Sequence, residues 1–251
     1  MRDRPALIAV SHGTADPAGQ ERIAALAREV RRRTAAEVRL AHVDVQSPPV
    51  GEVVAGLPRG RAAVVVPVLL SAGYHVKVDL RQAARGLPIA PALGPDERLV
   101  DVLARRALAA GFVPGHHRVV LGAAGSTDAG AVADCRAVAD RLSARLGTEV
   151  TDAYLSAARP DVTAAVEAAG RQAPGRPVLV LSYLLAPGYF QSRLVAEAAA
   201  AGAAATTVPL LGESGPVPAE LADLVVSRYR ATVEGCSTPG TTARTPTASR
   251  C

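Results

Sequence analysis

Residues 64–80 read VVVPVLLSAGYHVKVDL. The run up to Leu70 is apolar and rich in β-branched residues, which predicts a strand at 62–70 that is buried on both faces. Helical spacing resumes at 78–85. Strands buried on both faces are typical of parallel α/β sheets, whose ligands bind beyond the carboxyl ends of the strands. His75 therefore stands where such a fold places its chemistry.

One other strand end carries the same type of residue. Residues 6–11 read ALIAVS and predict the first strand, and His12-Gly13-Thr14 follows directly. Because the carboxyl ends of parallel strands lie at one edge of a sheet, we expect His12 and His75 to lie close together.

The composition bounds the class of protein. Of the 251 residues, 49% are hydrophobic and 20% charged, which allows a sizeable core. Aromatic residues are only 3%, so stacking platforms for single-stranded nucleic acid are few. The net charge of +5 comes from arginines scattered along helix-like segments. They suit either solvated helix faces or a polyanionic partner, and no nucleic-acid motif accompanies them.

Compartment and covalent chemistry also follow from composition. The three cysteines show no CxxC spacing, which argues against a disulfide framework and a structural zinc site. The chain enters a strand almost at once and contains no apolar run of roughly 20 residues. We therefore expect a cytoplasmic protein with neither membrane nor nucleic-acid partners, as a monomer or a homodimer.

The alternation of strands and helices runs twice along the chain and predicts two tandem Rossmann-like α/β lobes with parallel sheets. When His12 is laid on Ala124, Gly13 meets Gly125 and Thr14 meets Ser126. We interpret this as an internal duplication of a four-strand unit. The predicted lobes are residues 1–112 and 116–232, and the low-complexity segment 235–251 is predicted to be a disordered tail.

The duplication allows each of the two histidines to be compared with the matched residue of the second half. Gly73 and Tyr74 match Gly188 and Tyr189, so His75 corresponds to Phe190, while His12 corresponds to Ala124. The second copy keeps the glycines and apolar strands without either histidine, which favours a chemical role for the pair over a packing role.

Neutral imidazoles bind divalent metals such as Co²⁺, Fe²⁺, Ni²⁺ or Zn²⁺ and accept protons. Asp44, after the second strand, is the nearest candidate for a third metal ligand. His42 is interpreted as a half-buried wall residue with a weaker functional candidacy. Lys77 and Arg81 follow His75 at helical spacing and either bind substrate anions or form a solvated helix face. Ser182 lacks a G-x-S-x-G elbow, which argues against a serine hydrolase.

These motifs resemble the sirohydrochlorin chelatases, class II chelatases of the cobalto- and ferrochelatase type. The resemblance rests on Ser11-His12-Gly13-Thr14, on the run from Pro67 to Asp79 and on Ala92-Leu93-Gly94-Pro95-Asp96, and it covers about residues 6–230. Members of the family often carry Glu near the end of the second strand, where this chain has Asp44.

The resemblance implies two lobes facing a cleft and a lyase that inserts Co²⁺ or Fe²⁺ into sirohydrochlorin in cobalamin or siroheme biosynthesis. Ni²⁺ is a further candidate metal, and no organic cofactor is expected. The resemblance carries the metal-handling role onto His12 and His75, with the site in the first half. A non-catalytic carrier of metal or tetrapyrrole in the same cleft stays open as an alternative.

Overall fold

The computed structural model describes residues 4–71 and 73–237, with the side chains of 74–77 and 237 outside the description. The predicted tail therefore falls mostly outside the described residues, and its first positions, 235–237, belong to the last helix.

The first half forms a parallel three-stranded sheet with strand order β2-β1-β3. Its strands are β1 (Ala6–Ser11), β2 (Val38–His42) and β3 (Ala63–Pro67), and its helices are α1 (Pro17–Arg33), α2 (Val50–Ala55), α3 (Tyr74–Ala83) and α4 (Glu97–Ala109).

The second half repeats this order with one more paired strand, β5-β4-β6-β7, again all parallel. Its strands are β4 (Arg118–Ala123), β5 (Val150–Tyr154), β6 (Val178–Tyr183) and β7 (Ala205–Thr206), and its helices are α5 (Ala129–Leu146), α6 (Val162–Gln172), α7 (Tyr189–Ala200) and α8 (Ala219–Ser237). The predicted fold class, two tandem α/β lobes with parallel sheets, is confirmed.

Each sheet is covered on both faces, which explains the continuous apolar strands. In β1, Leu7 and Ala9 join the large core shared by the two halves, whereas Ile8 and Val10 face a separate core under α2 and α3. Alternate residues of a strand point to opposite faces, so a strand with two cores is apolar throughout.

Two expectations for the first half were wrong in detail. The strand predicted at 62–70 ends at Pro67, and the carbonyls of Leu69 and Leu70 instead accept hydrogen bonds from the backbone N–H groups of Leu93 and Gly94 at 2.8 and 3.0 Å. The helix predicted from Val78 already begins at Tyr74. His75 therefore belongs to the first turn of a helix rather than to the end of a strand.

The fourth strand predicted at 88–92 is reduced to a single bridge between Val65 and Ile89. Pro88 and Pro91 flank this bridge and have no N–H group to donate, which prevents a longer ladder on this edge. The corresponding strand of the second half is also short, since β7 covers only Ala205–Thr206 rather than the predicted 205–209.

The last helix of each half packs against the other half. Helix α8 contacts α1 and β3, and α4 contacts α5 and β6. The Arg228 guanidinium of α8 donates to the carbonyls of Ala92 and Leu93 at 3.0 and 2.9 Å, and the Tyr229 hydroxyl donates to the Pro5 carbonyl at 2.6 Å. The boundaries at 112 and 116 stay a prediction; in three dimensions the two lobes exchange a helix.

Within the described residues, no helix has the length and apolar character needed to cross a membrane.

Candidate active site

A cavity of about 480 Å³ lies between the two lobes, beyond the carboxyl ends of four strands. The first half contributes residues that follow β1 and β3, and the second half contributes residues that follow β4 and β6. These stretches are 11–15, 68–71, 123–126 and 183–191. Such a position matches the general rule for ligand sites in parallel α/β sheets, and the volume lies within the usual range for small-molecule sites.

His12 lines this cavity and is exposed. It directly follows β1, and its carbonyl oxygen accepts a hydrogen bond from the Asp44 N–H at 2.9 Å. The next turn leads into α1, where the Asp16 carboxylate accepts from the Gly19 N–H at 2.9 Å and caps the helix. The backbone is thus fixed on both sides of His12 while its ring stays accessible.

Gly13 is required by this turn. Its φ is +97°, and a Cβ atom here would overlap the carbonyl oxygen of Asp44. The second half repeats the constraint at Gly125, whose φ is +92° and whose Cβ would overlap the Ser156 carbonyl. The backbone conformation of this turn therefore requires glycine in both halves. It does not require the histidine that precedes the glycine in the first half.

Asp44, the predicted third ligand, lies in the loop after β2 and is exposed. Its carboxylate accepts a hydrogen bond from the Val45 N–H at 2.7 Å, and its backbone joins the His12 turn. The neighbouring residue Val45 lines the cavity. The structure thus brings the backbones of Asp44 and His12 together. The role of the Asp44 carboxylate as a metal ligand stays a prediction.

His75 and Lys77 lie in the first turn of α3, and their side chains fall outside the described part of the chain. Arg81 lies on the same helix and is exposed. Among the side chains that are described, no three of His, Cys, Asp or Glu come together to hold a metal ion. Because the predicted ligand set includes His75, this finding leaves that set untested.

His42 is more buried than predicted, with 1% of its surface exposed. The Nδ1 atom of its ring is hydrogen-bonded to the Ser11 hydroxyl at 2.8 Å. Burial lowers the pKa of His42 below the ordinary value, so the neutral ring is favoured. Its counterpart in the second half is Tyr154, which is equally buried. His42 thus supports the turn that carries His12 through its hydrogen bond to Ser11, the residue before His12.

The second half lines the inner end of the cavity with three buried groups whose pKa values are raised. Burial, followed by the charges of Asp134 and Asp152, raises the pKa of the Cys135 thiol to about 12. Burial also raises the pKa of Tyr183 and Tyr154, and the Tyr154 hydroxyl lies 2.6 Å from the Asp152 carboxylate. All three stay neutral near pH 7, so this wall adds no charge beside a ligand.

Sequence reasoning missed an aromatic pair at the mouth of the cavity. Tyr189 and Phe190 begin α7, line the cavity and are 72% and 40% exposed. Their ring centroids are 5.5 Å apart with an interplanar angle of 72°. The sequence comparison of the two halves identifies Phe190 only as the residue that replaces His75. The signal that could have found the pair is that two of the seven aromatic residues of the chain are adjacent at a predicted ligand edge.

Several solved structures are similar to this one in fold, among them two SirB proteins and a multi-domain protein. SirB from Bacillus subtilis with Fe³⁺ shares 22% identity over 92% of this chain and 98% of its own, with a TM-score of 0.74. The sirohydrochlorin chelatase SirB from Bacillus subtilis subspecies spizizenii in complex with cobalt shares 19% identity over 92% of this chain and 96% of its own, with a TM-score of 0.72.

The multi-domain protein DR2241 from Deinococcus radiodurans, described as similar to chelatases, has a TM-score of 0.64 at 21% identity. The match covers 90% of this chain and 54% of that one. No curated protein matches the sequence.

The family assignment rests on a match of the sequence itself. The CbiX family model matches residues 6–110 and again residues 118–232, which gives one copy in each half. The two matched segments contain the corresponding turns at His12 and Ala124, and the resemblance to the sirohydrochlorin chelatases is confirmed together with the duplication. The chain belongs to the CbiX family.

Proposed function

We propose that this protein is a chelatase that inserts a divalent metal, Co²⁺ or Fe²⁺, into sirohydrochlorin, as a step of cobalamin or siroheme biosynthesis. The observation that carries the proposal is His12, an exposed imidazole fixed by its backbone at a cavity between two lobes of the CbiX family. The SirB proteins of the same fold were solved with Fe³⁺ and with cobalt, which supports a metal as substrate.

Insertion requires two chemical events at one place. The ion exchanges bound water for pyrrole nitrogens, and the macrocycle loses two N–H protons. A neutral imidazole performs either task, since it binds a borderline metal or accepts a proton. We assign both tasks to His12 and His75, with the Asp44 carboxylate as a third ligand that balances charge.

The two lobes supply different environments for this substrate. The second half contributes apolar and neutral side chains to the cavity, such as Leu184, Leu185 and Ala186, which suit the flat macrocycle. The carboxylates of sirohydrochlorin then lie toward solvent, where Lys77 and Arg81 of α3 are the proposed partners. The net charge of +5 favours the approach of such a polyanion.

The test is the absorbance of sirohydrochlorin mixed with Co²⁺, Fe²⁺ or Ni²⁺, with and without the protein. We expect acceleration of insertion for at least Co²⁺ or Fe²⁺. Binding of sirohydrochlorin without any acceleration would replace the enzyme by the carrier that uses the same cleft. The absence of both binding and acceleration would refute the chelatase and the tetrapyrrole carrier, and would leave only a carrier of metal.

A further inference from the structure

Exposed apolar side chains concentrate at the mouth of the cavity. Among the described residues, six large hydrophobic side chains are exposed, and three of them line this cavity. The three are Val45, Tyr189 and Phe190. Apolar groups left in water at the rim of a cleft commonly mark the place where a ligand covers them.

Tyr189 and Phe190 are held in place by their helix. Gly188 precedes them as the N-terminal cap of α7, and a Cβ atom on Gly188 would lie 3.3 Å from the Thr14 hydroxyl oxygen. A second close approach joins the lobes at α1, where a Cβ atom on Gly19 would lie 2.5 Å from the Pro187 carbonyl oxygen. The aromatic pair thus begins beside the turn that carries His12, although it belongs to the other lobe.

The geometry of the pair suits a flat conjugated ligand. The two rings meet nearly edge to face, at 72°, so they are not stacked on each other. With 72% of Tyr189 and 40% of Phe190 exposed, ring surface is available to a partner. Stacking on aromatic side chains is a general way of binding planar π-systems.

We propose that Tyr189 and Phe190 bind the tetrapyrrole macrocycle by ring contact and hold it in front of His12. This inference rests on the proposed function and assigns the substrate-binding surface of that site. It also explains why the two copies differ at this position, which is His75 in the first half and Phe190 in the second. In this proposal the first turn of α3 binds the metal, and the corresponding first turn of α7 binds the macrocycle.

The test compares binding of metal-free sirohydrochlorin, titrated by its own absorbance, in matched variants. Tyr189→Ala with Phe190→Ala should weaken binding by roughly ten- to a hundredfold, whereas Phe190→Tyr should bind within about threefold of the parent. Leu108→Ala is the control, since Leu108 is 61% exposed and does not line the cavity. Binding of Co²⁺ alone, measured by calorimetry, should be unchanged in all variants.

The outcomes separate this inference from the function on which it rests. If the parent binds sirohydrochlorin and the double alanine variant binds it equally well, the inference is wrong and the chelatase proposal stands. If the parent does not bind it, both fail together. Phe190→Leu and Tyr189→Leu keep apolar volume without a ring, so parent-like affinity in both single variants would overturn the ring contact even if the double variant does not fold.

Discussion

The hydroxyl oxygen of Thr14 lies 3.3 Å from the position that a Cβ atom on Gly188 would occupy, and this contact crosses from one lobe to the other. The second copy makes the same contact in reverse, where the Ser126 hydroxyl lies 3.0 Å from the Cβ position of Gly73. Each lobe therefore places the hydroxyl of its first turn against the glycine that begins a helix of its partner lobe.

This reciprocal packing explains why the turns survive in both copies although only the first copy carries a histidine there. Thr14 and Ser126 also accept hydrogen bonds from the N–H groups of Asp16 and Asp128, at 3.1 and 3.0 Å, and these aspartates cap α1 and α5. The hydroxyl and the glycine serve the architecture of the cleft. The residue before the glycine, histidine or alanine, is left free for function.

The first prediction concerns the turn itself. Gly13→Ala should lower the free energy of unfolding by at least about 2 kcal/mol, because the backbone is held at positive φ and the new Cβ would meet the Asp44 carbonyl. Gly51→Ala, in α2 with open space around the Cβ position, should be neutral or stabilising by up to ~1 kcal/mol. Urea unfolding measures both, and equal stability of the two variants would contradict the assigned strain.

The second prediction concerns the exchanged helix α8. Arg228→Ala removes the guanidinium that donates to two carbonyls of the first half and lies 3.5 Å from the Asp96 carboxylate. We expect a loss of about 1.5–3 kcal/mol in the free energy of unfolding. Arg230→Ala, at an exposed position of the same helix, should change it little. A similar small effect for both would mean that the exchange of helices depends on apolar packing alone.

The sequence predicted the lobes well because their signals are periodic and occur twice. Apolar strands buried on both faces, glycines at the turns and helical spacing give the same answer in each half, and α7 is observed at its predicted start, Tyr189. The run from Val64 to Leu70 misled the prediction, because an apolar stretch does not reveal where a strand leaves the sheet. Hydrogen bonds of Leu69 and Leu70 to the segment at 93–94 decide that end.

The candidate site was predictable only in its first half. His12 and its turn follow from the position after a strand. The aromatic pair belongs to the copy that lost the histidines, and its place beside Thr14 depends on how two lobes pack, which no local pattern encodes. The exchange of α4 and α8 between lobes has the same cause, since an amphipathic helix does not specify which sheet it covers.

The third prediction concerns pH. The unfolded chain protonates His42 near its ordinary pKa of 6.5, whereas burial lowers the pKa of this ring in the folded protein. The contribution of His42 to stability is therefore complete above about pH 6.5 and is lost as the pH falls below that value. His42→Gln should flatten the decline of the unfolding free energy between pH 7 and pH 5, and His116→Gln, at an exposed position, should not. Equal slopes in parent and His42→Gln would refute the assignment.

The last prediction concerns the two histidines proposed to handle the metal. His12→Ala and His75→Ala should each reduce metal insertion by about 10²–10⁴-fold, the usual loss for a group that transfers a proton. Stability should change little, because the second half folds with Ala124 and Phe190 at the matched positions. His116→Ala, exposed and away from the cavity, should insert metal like the parent. Insertion rate and thermal unfolding are measured on the same preparations. Activity within about threefold of the parent for His75→Ala would show that this histidine is not part of the machinery, and unfolding of the variant would show that it is structural.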